Sequence, residues 1–203
     1  WTAISGATTS SSTGPINASV FGSDAASNGT SSSYMYCETS GATTSFFTLT
    51  SSCFDFSSSP YPKASFAYHA YGSTIGTLKF YYSVNDGNSW TSLWQISGQQ
   101  HTSDSDPATV VNVPGMSVLA NRSSVMFRIQ YQGGGSFTGD IAIDDIVIDQ
   151  DIAWTGTVSS DWNVAGNWSN DEVPDASDEV IIPTSGDPRL ENANGRGKNI
   201  TIE

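Results

Sequence analysis

A chain of 203 residues is long enough for one large β domain, or for a domain with an appended fragment. It carries 20 Asp+Glu against 7 Lys+Arg, a formal net charge of −13. It therefore lacks the clustered basic residues that nucleic acid or an anionic membrane surface needs in a partner, and no apolar run approaches the roughly 20 residues of a membrane-spanning helix.

The chain opens on Trp1 rather than an initiator Met, with no signal peptide, so it is expected to be a mature or excised piece of a larger precursor. No segment shows the 3.6-residue apolar period of a helix. Short β runs separated by turn residues recur instead. In chain order they are Ser33 to Glu38, Ser45 to Leu49, Ala64 to Tyr71, Gly76 to Val84, Ser92 to Ser97, Thr109 to Val113, Ser124 to Tyr131 and Asp140 to Ile148. This spacing predicts an all-β, two-sheet jelly-roll sandwich. Cys37 and Cys53, the only cysteines, fit one disulfide in an oxidising compartment. Two separate buried thiols are the other reading. Zinc is not expected, since two Cys and two scattered His offer no C-x-x-C or H-x-x-x-H spacing.

Between the fourth and fifth runs, Ser83-Val84-Asn85-Asp86-Gly87-Asn88-Ser89-Trp90 is a hairpin turn, since Asp-Gly supplies the positive φ of a tight reversal. It resembles the Asp-box hairpin of secreted β proteins, a structural turn without activity. The last run, Gly139-Asp140-Ile141-Ala142-Ile143-Asp144-Asp145-Ile146-Val147-Ile148, is apolar on both faces. Alternation puts Asp145 with Ile141 and Ile143, and Asp144 with Ala142 and Ile146, so at least one carboxylate is expected where water is scarce. After Gln150 the composition shifts to Trp, Asn, Asp and Gly. Short apolar runs follow at Glu179 to Pro183 and Asn199 to Ile202. A boundary is placed near residue 150, giving a domain over 1–150 and a β-rich extension over 151–203 that is marginal as an autonomous core.

Four blocks in order carry a family resemblance. They are Thr13-Gly14-Pro15 with Ser23-Asp24; Gly29 through Tyr34-Met35-Tyr36; Ser65-Phe66-Ala67-Tyr68-His69-Ala70-Tyr71-Gly72 with Ile75-Gly76-Thr77-Leu78; and Gly139-Asp140-Ile141-Ala142-Ile143-Asp144-Asp145-Ile146. Together they resemble the MAM domain, the extracellular β-sandwich module of meprins and receptor tyrosine phosphatases. Ala67 and Ala70 stand where the family pattern has Trp and Met, and two cysteines stand where animal members usually have four. Ser52-Cys53-Phe54-Asp55-Phe56 and the hairpin resemble MAM domains of secreted proteins from marine Bacteroidetes. Residues 153–183 resemble the opening of a surface-protein repeat from such bacteria, a type that often leads into a β-solenoid.

The resemblance implies one structural calcium ion between the N-terminal segment and the last strand. The matching positions are Asp24, Glu38, Asp144 and Asp145, with Asp140 and Asn28 as lesser candidates. A hard cation takes six to eight oxygens, and carboxylates with loop carbonyls provide them. The other reading is that these carboxylates cap turns. His69, in an apolar strand, reads as a core histidine, and His101, in a polar loop, as a solvated one. No catalytic set stands out. Asp144 and Asp145 point to opposite faces and cannot act as a carboxylate pair. Tyr61, Tyr68, Tyr71, Tyr81, Tyr82, Trp90 and Trp94 could form a sugar platform, although aromatics dominate sandwich interiors. The implied function is a non-catalytic adhesion or interaction module, secreted or at a bacterial cell surface, with a protein or glycan as partner, no nucleic acid and no membrane insertion. The alternatives are a carbohydrate-binding module attached to a polysaccharide-degrading enzyme, or an ancillary domain of a secreted metallopeptidase.

Overall fold

A computed structural model describes residues 1–22, 33–41, 46–190 and 194–203. It is all-β, with three short 3-10 turns among the described residues. The chain divides into two compact units. One comprises 1–53, 64–114 and 125–147, and the other 54–63, 115–124 and 148–203. The second unit thus draws on two earlier segments as well as on the C-terminal stretch.

In the first unit the strands form two sheets. The strands β1 (Thr2–Ile4), β2 (Tyr34–Cys37), β4 (Pro62–His69), β7 (Thr109–Asn112) and β9 (Ile141–Gln150) make a five-stranded sheet in the order β1-β2-β9-β4-β7. The strands β3 (Phe46–Thr50), β5 (Thr77–Ser83), β6 (Thr91–Ser97) and β8 (Met126–Gln132) make a four-stranded antiparallel sheet in the order β3-β8-β5-β6. Alternation decides which side faces inward. Leu78 and Phe80 of β5, Phe127, Ile129 and Tyr131 of β8, and Phe66 of β4 are buried. Rings from the two sheets meet in this layer. Phe66 lies 5.7 Å from Phe80 and 5.3 Å edge-on from Trp94. This is the expected jelly-roll sandwich, and the eight predicted runs correspond to β2 through β9.

The five-stranded sheet is covered on its other side as well. The 3-10 turn Ala18–Phe21 packs Val20 and Phe21 against Tyr34, Tyr36, Ala67 and Ala142. Ala67 and Ala142 are small because this second layer lies directly on them. Three successive residues of β9, Ile141, Ala142 and Ile143, are consequently all fully buried, the pattern of a strand covered on both faces. Asp145 then adopts φ 49°, a left-handed conformation that Asp tolerates better than most residues, and Asp145, Ile146 and Val147 all emerge into solvent. The expected alternation through Ile148 therefore breaks at Asp145.

The second unit contains a parallel three-stranded sheet, β10 (Ile152–Ala153), β11 (Glu179–Ile182) and β12 (Asn199–Ile202). Its core joins Ile152, Val180 and Ile182 to Trp154, Trp162 and Trp168. Trp168 meets the other two tryptophans edge-on at 5.0 and 4.6 Å. Asn167 is fully buried and saturated. Its Oδ1 accepts from the amides of Val158 (2.9 Å) and Ser159 (2.8 Å), and its Nδ2 donates to Ser159 Oγ and the Asp161 carbonyl. Asn167→Ala removes the four hydrogen bonds by which a fully buried amide holds the Val158–Asp161 turn, and unfolding by urea should show a loss of about 2–3 kcal/mol. A loss under about 0.5 kcal/mol would mean that the amide does not organise this unit.

Candidate functional site

The buried carboxylate of the signature strand is Asp140, at 0% exposure. Its Oδ1 accepts from the Thr39 amide at 2.9 Å and lies 3.1 Å from the Thr39 hydroxyl. Its own amide donates to Thr13 Oγ1 at 3.0 Å. Its Oδ2 is enclosed without a hydrogen-bond partner among the described residues. Burial raises the Asp140 pKa above the usual carboxylate range, partly offset by the Thr39 amide, with the Glu38 charge adding to the rise. Tyr131 completes this polar knot, donating to the Gly139 carbonyl and accepting from the Gly76 amide at 2.9 Å.

The predicted ligands lie elsewhere in part. Glu38 is half-buried, accepting from the Thr9 and Ser10 hydroxyls and the Ser40 amide. Asp144 is half-buried and Asp145 exposed. Asp24 and Asn28 fall outside the described residues. Among the described residues no three His, Cys, Asp or Glu side chains converge as a metal-binding group. Asp140, the lesser candidate, is the carboxylate where water is scarce.

The cysteines are not bonded to each other, in contrast to the disulfide expectation. Cys37 is buried at the end of β2 opposite Ile141, and Cys53 is exposed after β3. Burial pushes the Cys37 thiol well up, so the reactive thiolate is disfavoured there.

His101 is buried rather than solvated, which corrects the loop reading. Its Nδ1 accepts from the Ala70 amide at 2.9 Å, which leaves Nε2 to carry the proton toward Thr109 Oγ1 at 3.2 Å. Its ring stacks on His69 at 4.3 Å, tilted 16°. His69 is fully buried, and neither ring nitrogen has a hydrogen-bond partner among the described residues. Burial, followed by the His101 charge, lowers its pKa to about 4, against weaker raising effects from the Ser103 and Asp106 backbone and the Asp106 carboxylate. Asp106 itself is held well below the usual range by the Ser103 hydroxyl and the Thr102 amide. Burial thus holds both rings toward the neutral form.

The aromatic candidates divide between core and surface. Tyr68 is buried and Trp94 points inward onto Phe66 and Tyr68. Tyr81 and Trp90 are half-exposed. Tyr81 lies on the outer face of the four-stranded sheet, in register with Arg128, and Lys79 is in register with Gln130. Phe46, Thr77, Lys79, Tyr81, Gln130 and Gln132 line a groove of about 260 Å³ on that face. At its end the hairpin turns as expected. Ser83 Oγ accepts from the Gly87 amide, and Trp90 Nε1 donates to the Gly87 carbonyl at 2.9 Å. That fixes the Trp90 ring under Arg128, whose guanidinium carbon sits 3.8 Å from the ring centroid. Arg128, Gln130 and Gln132 were not singled out from sequence, although they alternate with buried Phe127, Ile129 and Tyr131.

The two-sheet sandwich with this signature strand matches one family. Residues 1–152 match the MAM domain (meprin/A5/mu), and the chain belongs to that family. Among solved structures, the chain is similar to a carbohydrate-binding module of family 28 specific for non-crystalline cellulose. The identity is 11% and the TM-score 0.38, covering 59% of this chain and 77% of that one. It is also similar to a mutant xylanase 10C from Cellvibrio japonicus in complex with xylopentaose, at 10% identity and a TM-score of 0.36, covering 76% of this chain and 28% of that one.

The histidine pair predicts a pH dependence. The unfolded chain protonates a histidine near pH 6.5, whereas His69 stays neutral to about pH 4. Stability contributed by the neutral ring is present above pH 6.5 and is lost as pH falls through that window. Urea unfolding at pH 7 and pH 4.5 should show a drop in the parent that is smaller in His69→Gln. Equal drops would contradict the assignment.

Proposed function

We propose that the chain is a non-catalytic, extracellular interaction module of a secreted or cell-surface protein, and that it binds through the outer face of its four-stranded sheet. Family membership supports the extracellular setting. Among the described residues no helix is long and apolar enough to cross a membrane. The observation that carries the reading is the groove itself. It is open, it rests on a hydrogen-bonded sheet, and it is lined by two rings, two amides, a hydroxyl and one amine. Such groups recognise by stacking and hydrogen bonding, and none of them is a carboxylate or imidazole suited to move a proton near neutral pH. Glycan recognition is favoured by the same lining, since ring faces stack on sugars and amides bond hydroxyl pairs.

A structural calcium ion belongs to the same proposal. Its support is the enclosed, unpartnered Oδ2 of Asp140, with the Glu38 carboxylate near enough to raise the Asp140 pKa. Two carboxylates with nearby hydroxyl and carbonyl oxygens suit a hard cation. In this reading Asp140 and Glu38 hold the ion and Asp144 and Asp145 do not.

Two measurements test these readings. Immobilised protein and glycan arrays should retain the chain saturably, and Tyr81→Ala should lose that retention with an unchanged melting temperature. Retention indifferent to Tyr81 would overturn the outer-face assignment. Calcium at about 100 times its dissociation constant should raise the melting temperature by about 5–11 °C over EDTA. Asp140→Asn should abolish the difference, whereas an EDTA-insensitive melt of the parent would remove the ion from the account.

A further inference from the structure

The basic residues of this acidic chain are distributed unevenly. The first unit, spanning 1–53, 64–114 and 125–147, contains only two Lys or Arg residues, Lys79 and Arg128. Both lie on the outer face of the four-stranded sheet, on adjacent strands. Arg128 is opposite Tyr81, and Lys79 is two residues along. Strand spacing and rise set their Cα atoms about 8 Å apart. None of the four strands, Phe46–Thr50, Thr77–Ser83, Thr91–Ser97 and Met126–Gln132, contains an Asp or Glu. In a chain with 20 carboxylate side chains, this face is a local island of positive charge.

The structure assigns this face to an acidic polysaccharide, one bearing carboxylate or sulfate groups along its chain; the assignment rests on the outer-face reading above. Charge complementarity selects the anion. Lys79 contributes an ammonium, and Arg128 a guanidinium whose carbon sits 3.8 Å from the Trp90 ring centroid. The rest of the face selects the sugar. Phe46, 60% exposed, and Tyr81 offer ring surfaces, while Gln130 and Gln132 beside them offer amide donors and acceptors to hydroxyl pairs. The net charge of −13 does not forbid an anion here. At physiological ionic strength the Debye length is about 8 Å, so carboxylates farther than that from Lys79 and Arg128 are largely screened. Two cations would neutralise only two phosphates, and tight nucleic-acid binding rests on more.

The test uses the full chain in affinity electrophoresis and calorimetry against polygalacturonate, dextran sulfate, neutral dextran and single-stranded DNA, at 50 and 500 mM NaCl. The expected result is saturable binding to polygalacturonate or dextran sulfate that weakens at least tenfold at the higher salt. The better of the two identifies carboxylate or sulfate as the anion. Lys79→Gln and Arg128→Gln should each weaken it about tenfold, and Arg122→Gln, outside the face, should not. Thermal melts confirm that each variant is folded. If neutral dextran binds as tightly, or if the Lys79 and Arg128 variants bind like the parent while Tyr81→Ala does not, the outer-face reading stands and the acidic ligand falls. Equal or tighter binding to DNA also overturns the proposal. No binding to any probe, in a chain that the arrays show to bind something else through Tyr81, does the same.

Discussion

A buried carboxylate organises the first unit. Asp140 enters the interior at the head of β9, between a sheet covered on both faces and the segment that covers it. One carboxylate oxygen fixes the Thr39 amide, and the Asp140 amide is fixed by Thr13, so three distant stretches of chain meet at one residue. A charged group can stay in such a place only if hydrogen bonds or a cation compensate for the lost water. Tyr131 and Gly76 extend the same knot into the four-stranded sheet. Gly76 has no room for a side chain there, since a Cβ would overlap the Gln132 carbonyl.

That arrangement also explains which surface remains available. The five-stranded sheet spends both faces on packing, one against the other sheet and one beneath Ala18–Phe21. The four-stranded sheet spends only its inner face. Its outer face keeps amides, hydroxyls, rings and the first unit's two basic side chains partly exposed on a hydrogen-bonded ladder of four strands. Recognition on such a face costs little ordering, because the strands are held before any partner arrives.

Much of this was legible in the sequence. Period-two alternation marks β3, β5 and β8 because one face of each strand meets the core, and the Asp-Gly turn fixes the β5–β6 hairpin locally. The carboxylate was foreseen in the right strand but at the wrong position. Asp144 and Asp145 sit amid apolar residues in the sequence, yet at the left-handed Asp145 the alternation breaks and Asp145 to Val147 face solvent. Asp140, at the head of the same run, was only a lesser ligand candidate. The triplet Ile141-Ala142-Ile143 held the signal, since consecutive apolar residues imply cover on both faces. His101 was misread because its burial depends on the Ala70 amide 31 positions away. The parallel sheet of the second unit was visible as apolar runs, but their pairing is long-range. The outer face was missed because Arg128, Gln130 and Gln132 look like ordinary solvent-facing residues until β5 is laid beside them.

The central claim is that the Asp140 knot is part of the cooperative core and not a surface ornament. Native-state hydrogen exchange of the Thr39 amide tests it most directly, because that proton is donated to Asp140. The account predicts exchange only through global unfolding, with a protection free energy equal to the unfolding free energy from denaturant. Exchange of Thr39 at the rate of an exposed loop amide, with the strand amides of β8 still protected, would contradict it.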